Sequence, residues 1–242
     1  MTKIKALLLS GGYGTRLRPI TLATPKCLVK IGGVPLLGRW LQLLEKADSS
    51  EAVVNTHYLK EQVRNFLQDQ DYCKFPVKEF YEDELLGTAG TLIANKEIFN
   101  KSIGLLIHAD NVISFEIKEL INAHLARPKN CILTMATFTT DKPSECGIVK
   151  CDENDIVQEF HEKVDNPPGN KANGAIYVFN NSFLSELAAL GPDVNDFSKQ
   201  VLPRFLGRIF TWHTDTPFLD IGTPDNLEKA QSIWPATAAE SL

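Results

Sequence analysis

The stretch Ser10–Arg18, SGGYGTRLR, sets three glycines and two arginines in one loop. Gly11, Gly12 and Gly14 let a backbone come close to a ligand and take left-handed conformations. Successive amides turned to one side then bind anionic oxygens. Arg16 can fork onto phosphate oxygens, and Lys26 adds a compact charge a short way along the chain. The loop is neither a GxGxxG turn entering a helix nor a GxxxxGK[ST] loop. Pro19 and Pro25 discourage an immediate helix, so an extended basic segment is expected as far as Lys26. Such a loop suits a polyphosphate.

A second candidate is Asp110, which closes the apolar run IGLLIHAD. A carboxylate at the end of a buried strand is costly unless it meets a cation or hydrogen-bond donors. Metal binding and helix capping are both open to it, and Asn111 can serve as the cap instead. Asn55 ends another apolar run, AVVNT, where it can touch a base or ribose or simply form a turn. Asp220, in LDIGTP, taken alone is an ordinary aspartate of a turn before a helix.

These residues need elements to hold them. Ile4–Leu9 reads as a buried parallel strand, and further strands are expected at Ala52–Thr56, Val77–Tyr81 and Ile103–Ile107. Helical periodicity covers Leu36–Ala47, Leu59–Gln70, Thr88–Glu97 and Phe115–Leu125. Strand–helix alternation of this kind builds a parallel sheet covered on both faces. Beyond about residue 130 the pattern changes to strands at Ile132–Thr139, Gly147–Cys151, Val157–Phe160, Gly174–Phe179 and Phe210–His213. Helices return at Ser182–Ala189, Ser198–Leu206 and Pro224–Ile233. The expected fold is α/β: a Rossmann-like, doubly wound mixed sheet in three layers, with antiparallel strands added in the C-terminal half. Residues 1–234 are expected to form a single domain, with a nucleotide-binding half (1–130) and a second half (131–234), followed by a loose tail (235–242). In open α/β sheets ligands bind at the carboxyl ends of the strands, where the glycine loop, Asn55 and Asp110 all fall.

Composition narrows the classes. With 25 basic and 30 acidic residues the net charge is −5, which argues against nucleic acid held by bulk charge. The five cysteines, Cys27, Cys73, Cys131, Cys146 and Cys151, form no CxxC pair and no zinc pattern, and read as reduced thiols. Lys3 and Lys5 precede only a short apolar run, unlike a signal peptide. No stretch approaches the roughly 20 apolar residues that span a bilayer. A cytoplasmic protein with no membrane partner is expected.

The run SGGYGTRLRPITLATPKCLVKIGGVPLL resembles the signature of the sugar-1-phosphate nucleotidyltransferases, GGxGTRLxPLT…PKxLxxxxxxPL, with Ser10 where alanine is usual. LLGTAG (Leu85–Gly90), HADN (His108–Asn111), ECGIV (Glu145–Val149), FHEKV (Phe160–Val164), NGAIYVF (Asn173–Phe179) and LDIGTPDN (Leu219–Asn226) follow in that family's order. The resemblance implies a GT-A-like nucleotidyltransferase that joins a nucleoside triphosphate to a sugar 1-phosphate and releases pyrophosphate. It implies Mg²⁺ held by Asp110 and Asp220. Arg16, Lys26 and Asp110 would be the catalytic residues, Arg16 on the leaving pyrophosphate and Lys26 on the incoming groups. Ser10, Gly11, Gly12, Gly14, Thr15, Asn55, Glu82, Gly87 and Thr88 would bind the nucleotide, Glu82 by accepting from base N–H groups. Gly147, Glu159, Lys163, Asn173 and Gly174 would bind the sugar phosphate, Lys163 gripping it and either Glu159 or Glu162 meeting sugar hydroxyls. Val164 stands where the family often has proline after that lysine. His108 and His161 flank site residues, but hard Mg²⁺ prefers oxygen ligands.

The run of motifs is most similar to the guanylyltransferases acting on mannose or D-glycero-D-manno-heptose 1-phosphate, in a short form without a hexapeptide-repeat β-helix. UTP-dependent enzymes of N-acetylmuramate 1-phosphate are the alternative. A regulatory module that kept the fold without catalysis would be expected to have lost Arg16, Lys26, Asp110 or Asp220, all of which are present. A nicotinamide dehydrogenase would need an acidic residue at the end of strand two, where Asn55-Thr56 stands instead. A homo-oligomer is left open.

Overall fold

The computed structural model describes residues 2–236. The tail expected to be loose lies, from residue 237 on, outside the described residues. In chain order the strands and helices begin with β1 (Lys3–Leu9), β2 (Lys30–Ile31), β3 (Val34–Pro35), α1 (Leu36–Lys46), β4 (Glu51–Thr56), α2 (Lys60–Asp69) and β5 (Val77–Tyr81). Then come α3 (Gly87–Ala94), β6 (Ser102–His108), β7 (Asn111–Ile113), α4 (Ile117–Ala126), β8 (Leu133–Thr139), β9 (Gly147–Cys151) and β10 (Val157–Glu162). The chain closes with β11 (Lys171–Phe179), α5 (Asn181–Ala188), β12 (Ile209–Thr214), β13 (Phe218–Asp220) and α6 (Pro224–Ile233). This is the expected α/β architecture with a mixed parallel and antiparallel sheet. Among the described residues no helix is long and apolar enough to cross a membrane.

Contacts divide the chain into two interleaved units. The loop unit comprises Ala6–Leu85, His108–Ile117 and the chain from Thr216 onward. Its sheet runs from the C-terminal part of β1 to β4 and then to β5. β4 and β5 are parallel, in register from Ala52↔Val77 to Thr56↔Tyr81. Ala6, Leu7 and Leu8 are fully buried, which is why three successive apolar residues read as a strand covered on both faces. In α1, Leu36, Leu37, Trp40, Leu41 and Leu44 are buried, the stripe that a 3.6-residue period lays along one side. A separate cluster, Leu17, Val29, Ile31, Leu36, Val112, Ile221 and Ala230, closes around the β2–β3 hairpin and α6. Full burial of a side chain such as Leu17 or Ile221 contributes about 1.5–3 kcal/mol. Leu17 adjoins Arg16 and Ile221 adjoins Asp220, while Val112 lies two residues past Asp110. Apolar burial thus fixes the backbone on which the charged residues stand.

The β-rich unit comprises Leu86–Ile107 and Lys118–Asp215, with the residues up to Lys5. Its sheet order is β10-β9-β11-β6, continuing to the start of β1, with β8 paired to β11 and β12 paired to β8. β11 is antiparallel to β6 and β8, whereas β12 is parallel to β8. Aromatic rings fill its core: Phe99 against Phe179 at 5.0 Å, Phe183 against Phe205 at 5.2 Å, and Tyr177 against Phe197 at 4.7 Å.

Two expectations fail for reasons of backbone chemistry. The segment expected to be extended up to Lys26 is instead three 3₁₀ turns, Thr15–Leu17, Ile20–Leu22 and Lys26–Leu28, burying Leu17, Thr21 and Cys27. Proline bars a long helical ladder, but a single i→i+3 turn needs only one such bond and suits proline's φ. The helix expected at Ser198–Leu206 is a π-helical turn, Phe197–Val201, followed by a 3₁₀ turn, Leu202–Phe205. Pro203 lacks the N–H that an α ladder would use there.

Candidate active site

β7 and β13 are three-residue strands that bring two distant carboxylates together. They pair antiparallel as Phe218↔Ile113, Leu219↔Val112 and Asp220↔Asn111. The Ile221 amide donates to the Asp110 carbonyl at 2.9 Å, and the Ala109 amide donates to the Leu9 carbonyl at 3.0 Å. Buried Trp40 donates through Nε1 to the Asn111 carbonyl at 2.9 Å. Thr223 caps α6 by accepting from the Asn226 amide. The two carboxylates therefore stand on backbone that is hydrogen-bonded from several sides.

Between them lies Lys26. Its Nζ is 2.5 Å from Asp110 Oδ2 and 3.2 Å from Asp220 Oδ1. Arg16 Nη2 lies 3.7 Å from Asp220 Oδ2. The lysine side chain is only 12% exposed, against 62% for the arginine, so Lys26 is the fixed charge and Arg16 the one open to solvent. Burial alone would lower the Lys26 pKa, but the charges and hydrogen bonds of the two carboxylates outweigh it and raise it. Burial likewise pushes Asp110 up, and Lys26 with His108 more than reverses it, holding Asp110 below its ordinary value. Burial and the charge of Asp110 raise Asp220, against Lys26 and Arg16. Both carboxylates converge on one cation. Among the described residues no group of three or more His, Cys, Asp or Glu side chains is placed to hold a metal ion. Two carboxylates offer hard oxygen ligands, which could hold a divalent cation once water and phosphate complete its shell.

The glycine loop is shaped from beneath by Asn55. Its Oδ1 accepts from the Ser10 amide at 2.6 Å and the Gly11 amide at 3.2 Å, and Ser10 Oγ donates to the Asn55 carbonyl at 2.5 Å. Asn55 Nδ2 donates to Glu82 Oε1 at 3.1 Å. Both Asn55 and Glu82 are buried. Asn55 is thus a loop-holding residue, and Glu82 meets it through Oε1. Gly14 sits at φ +61, where a Cβ would come within 2.9 Å of Thr21 Cγ2, so glycine serves both the turn and the packing. Thr21 Oγ1 donates to the Gly14 carbonyl at 2.7 Å. Among the described residues, the amides of Gly12, Tyr13, Gly14 and Thr15 find no acceptor in the chain. Four consecutive free donors in a loop with a left-handed residue are backbone groups that can bind anionic oxygens.

The remaining expected site residues lie in the β-rich unit. Gly87, at φ +76, opens α3. Thr88 Oγ1 accepts from the Phe197 amide at 2.8 Å, and the Ala89 amide donates to the Asn195 carbonyl at 2.9 Å. Gly147 faces Glu162: a Cβ there would lie 2.6 Å from Glu162 Oε2 and 2.7 Å from the Phe160 ring. Burial, with a smaller contribution from Asp196, raises the Glu162 pKa. Glu159 is turned elsewhere, to Lys150 at 2.7 Å and His161 at 3.0 Å. Lys163, with φ +51, lies 3.8 Å from Glu162 Oε1 and is mostly exposed. Asn173 Nδ2 donates to the hydroxyl of fully buried Tyr177 at 2.7 Å, and Gly174 lies in the irregular part of β11 between them. Tyr177, Thr21, Trp40 and Asn226 are supporting residues that the sequence reading did not single out. Of these only Tyr177 carries a signal in the sequence, a hydroxyl-bearing residue inside the apolar run NGAIYVF.

The chain matches the nucleotidyl transferase family over residues 5–235 and belongs to it. It is 32% identical over 235 residues to the mannose-1-phosphate guanylyltransferase catalytic subunit beta of Drosophila pseudoobscura pseudoobscura, covering 95% of this chain and 62% of that protein. It is 33% identical over 228 residues to the probable mannose-1-phosphate guanylyltransferase 1 of Oryza sativa subsp. japonica, covering 91% of this chain and 62% of that protein. The chain therefore spans 62% of the length of these curated relatives. HddC of Yersinia pseudotuberculosis has the same fold, with a TM-score of 0.78 at 24% identity over 96% of this chain and 99% of that one. A second HddC structure, in complex with GMP-PN, superposes with the same TM-score at 22% identity.

Proposed function

We propose that this chain transfers a nucleotidyl group from GTP to mannose 1-phosphate or D-glycero-D-manno-heptose 1-phosphate, giving a GDP-sugar and pyrophosphate. The observation that carries this is the pairing, in one unit, of four free loop amides with Lys26, Arg16 and two converging carboxylates. The names of the relatives support guanine and mannose. Residues 1–234 act as one nucleotidyltransferase domain, and the residues assigned to the sugar phosphate all belong to its 131–234 half.

A phosphate oxygen of the sugar 1-phosphate forms the new bond to the α-phosphorus in line, and the bond from the α-phosphorus to the β-phosphate oxygen breaks. Its electron pair leaves with pyrophosphate. No nucleophile from the protein is needed, so positioning and charge neutralisation do the chemistry. The amides of Gly12–Thr15 hold the triphosphate, Arg16 pairs with the leaving phosphates, and Lys26 meets the phosphates at the reacting centre. Asp110 and Asp220 would hold Mg²⁺, which neutralises phosphate charge and polarises the α-phosphate. Glu162, facing Gly147, meets sugar hydroxyls, and Lys163 grips the sugar phosphate. The five free cysteines suit a reducing compartment, and the cytoplasm is where we place the reaction.

The test is pyrophosphate release with Mg²⁺ across GTP, UTP, CTP, ATP and dTTP, each paired with mannose, heptose, glucose, N-acetylglucosamine and N-acetylmuramate 1-phosphates. Turnover with GTP and a manno-configured sugar phosphate is expected. Preference for UTP with N-acetylmuramate 1-phosphate moves the protein to the uridylyltransferases, and nucleotide binding without turnover for any pair overturns the enzymatic reading.

A further inference from the structure

Tyr13 stands at the middle of the glycine loop, between Gly12 and Gly14, and is 46% exposed. Its side chain is nonetheless tied down. The hydroxyl lies 2.9 Å from His57 Nε2, and the two rings meet edge-on with centroids 5.4 Å apart. The Tyr58 ring lies 5.4 Å from it on a tilt. The other nitrogen of His57, Nδ1, is 2.9 Å from the Glu82 carbonyl oxygen. A carbonyl can only accept, so Nδ1 carries a proton and donates it. In the neutral imidazole Nε2 is then left with a lone pair, and the Tyr13 hydroxyl donates to it. One backbone carbonyl thereby sets the direction of the whole chain, from Tyr13 through His57 to Glu82.

This route does work that the Asn55 route cannot. Asn55 holds Ser10 and Gly11 by consuming their amides. The Tyr13 side chain holds the next part of the loop and leaves its amides free. A residue between two glycines has much backbone freedom to lose when the loop is ordered. His57 follows β4 and Glu82 follows β5, so the loop is tied to the ends of two parallel strands.

We propose that Tyr13 and His57 are positioning residues, a latch that holds the free amides of the glycine loop in the arrangement the nucleotide's phosphates need. This rests on the nucleotidyl transfer proposed above. The latch acts on the affinity for the triphosphate and not on the transfer step, because neither side chain supplies charge or a proton to the reacting phosphorus.

The test measures GTP binding by titration calorimetry and steady-state kinetics with GTP and mannose 1-phosphate. Tyr13→Phe keeps the ring and removes the hydroxyl. It is expected to raise both Kd and KM for GTP about three- to tenfold, the range of one lost hydrogen bond, with kcat, the sugar-phosphate KM and the thermal midpoint unchanged. His57→Ala should give the same rise in KM, and the double variant should be no worse than either single, since all three break one chain. His57→Gln, whose amide can both donate and accept, should restore most of the affinity lost in His57→Ala. Unchanged GTP affinity in Tyr13→Phe overturns the latch, as do additive losses in the double variant or a matching fall in kcat. Wild-type protein that binds no nucleoside triphosphate overturns the proposed function and the latch with it. Wild-type protein that binds GTP no better than Tyr13→Phe overturns the latch alone.

Discussion

Asn226 donates through Nδ2 to the backbone carbonyl of Asp220 at 2.8 Å, so the first turn of α6 holds the strand end that carries a site carboxylate. The Asp220 side chain is left to face Lys26 and Arg16. Lys26 is the group that balances both carboxylates, and its loss should be felt in the transition state, where phosphate charge gathers. Lys26→Ala is expected to lower kcat/KM at least tenfold, which is ~1.4 kcal/mol of lost transition-state stabilisation. Asp110→Asn should abolish turnover while leaving the far-ultraviolet circular dichroism spectrum intact. Near-wild-type kinetics at saturating Mg²⁺ in either variant would remove that residue from the site.

Asn55 separates loop shaping from nucleotide contact. Asn55→Asp preserves an oxygen for the Ser10 and Gly11 amides but replaces the Nδ2 donor with an oxygen facing Glu82 Oε1. Two carboxylates in contact within buried surroundings repel, and one must take up a proton. The expected result is a loss of about 1–3 kcal/mol in urea unfolding at neutral pH, shrinking as pH falls and the pair protonates. A pH-independent loss would show that the Glu82 contact is unimportant.

Much of this site was legible because its residues end apolar runs. Leu7 and Leu8 lead to the glycine loop, Val54 to Asn55, and Ile107 to Asp110, so strand recognition alone put these groups at one edge. Asp220 was legible only through its motif, because β7 and β13 are too short to carry any periodicity. The sequence left Glu159 and Glu162 as alternatives, yet residues three apart on a strand point to opposite faces. Phe160 and Glu162 face Gly147 while Glu159 turns to Lys150. The apolar spacing of Ser198–Leu206 mimics a helix, and only the backbone consequence of Pro203 separates the observed π turn and 3₁₀ turn from one.

Gly147 tests the pocket that Glu162 faces. A methyl group there would overlap Glu162 Oε2 and the Phe160 ring, and the ring is not a flexible chain end that can step aside. Gly147→Ala is expected to cost about 1–3 kcal/mol of stability by overpacking. It should also raise the KM for the sugar phosphate more than that for the triphosphate. Equal effects on both, with unchanged unfolding midpoints, would place the sugar elsewhere.

His124 gives the fold an acid limit that is independent of the site. It is almost fully buried, with Nδ1 2.9 Å from Thr134 Oγ1, and burial together with the charge of Arg127 lowers its pKa to about 3. In the unfolded chain the same ring titrates near its ordinary value of roughly 6.5. Between these two values the unfolded state binds a proton that the folded state refuses, so stability is full above roughly pH 6.5 and falls as pH drops toward 3. The slope is at most about 1.4 kcal/mol per pH unit. Other groups titrate in this range too, so the quantity to measure is the difference in unfolding free energy between wild type and His124→Gln at pH 7.5 and pH 5. The wild-type stability should fall more steeply over that interval, because the glutamine has no proton to gain. Parallel curves would mean that His124 accepts a proton without leaving its place in the fold.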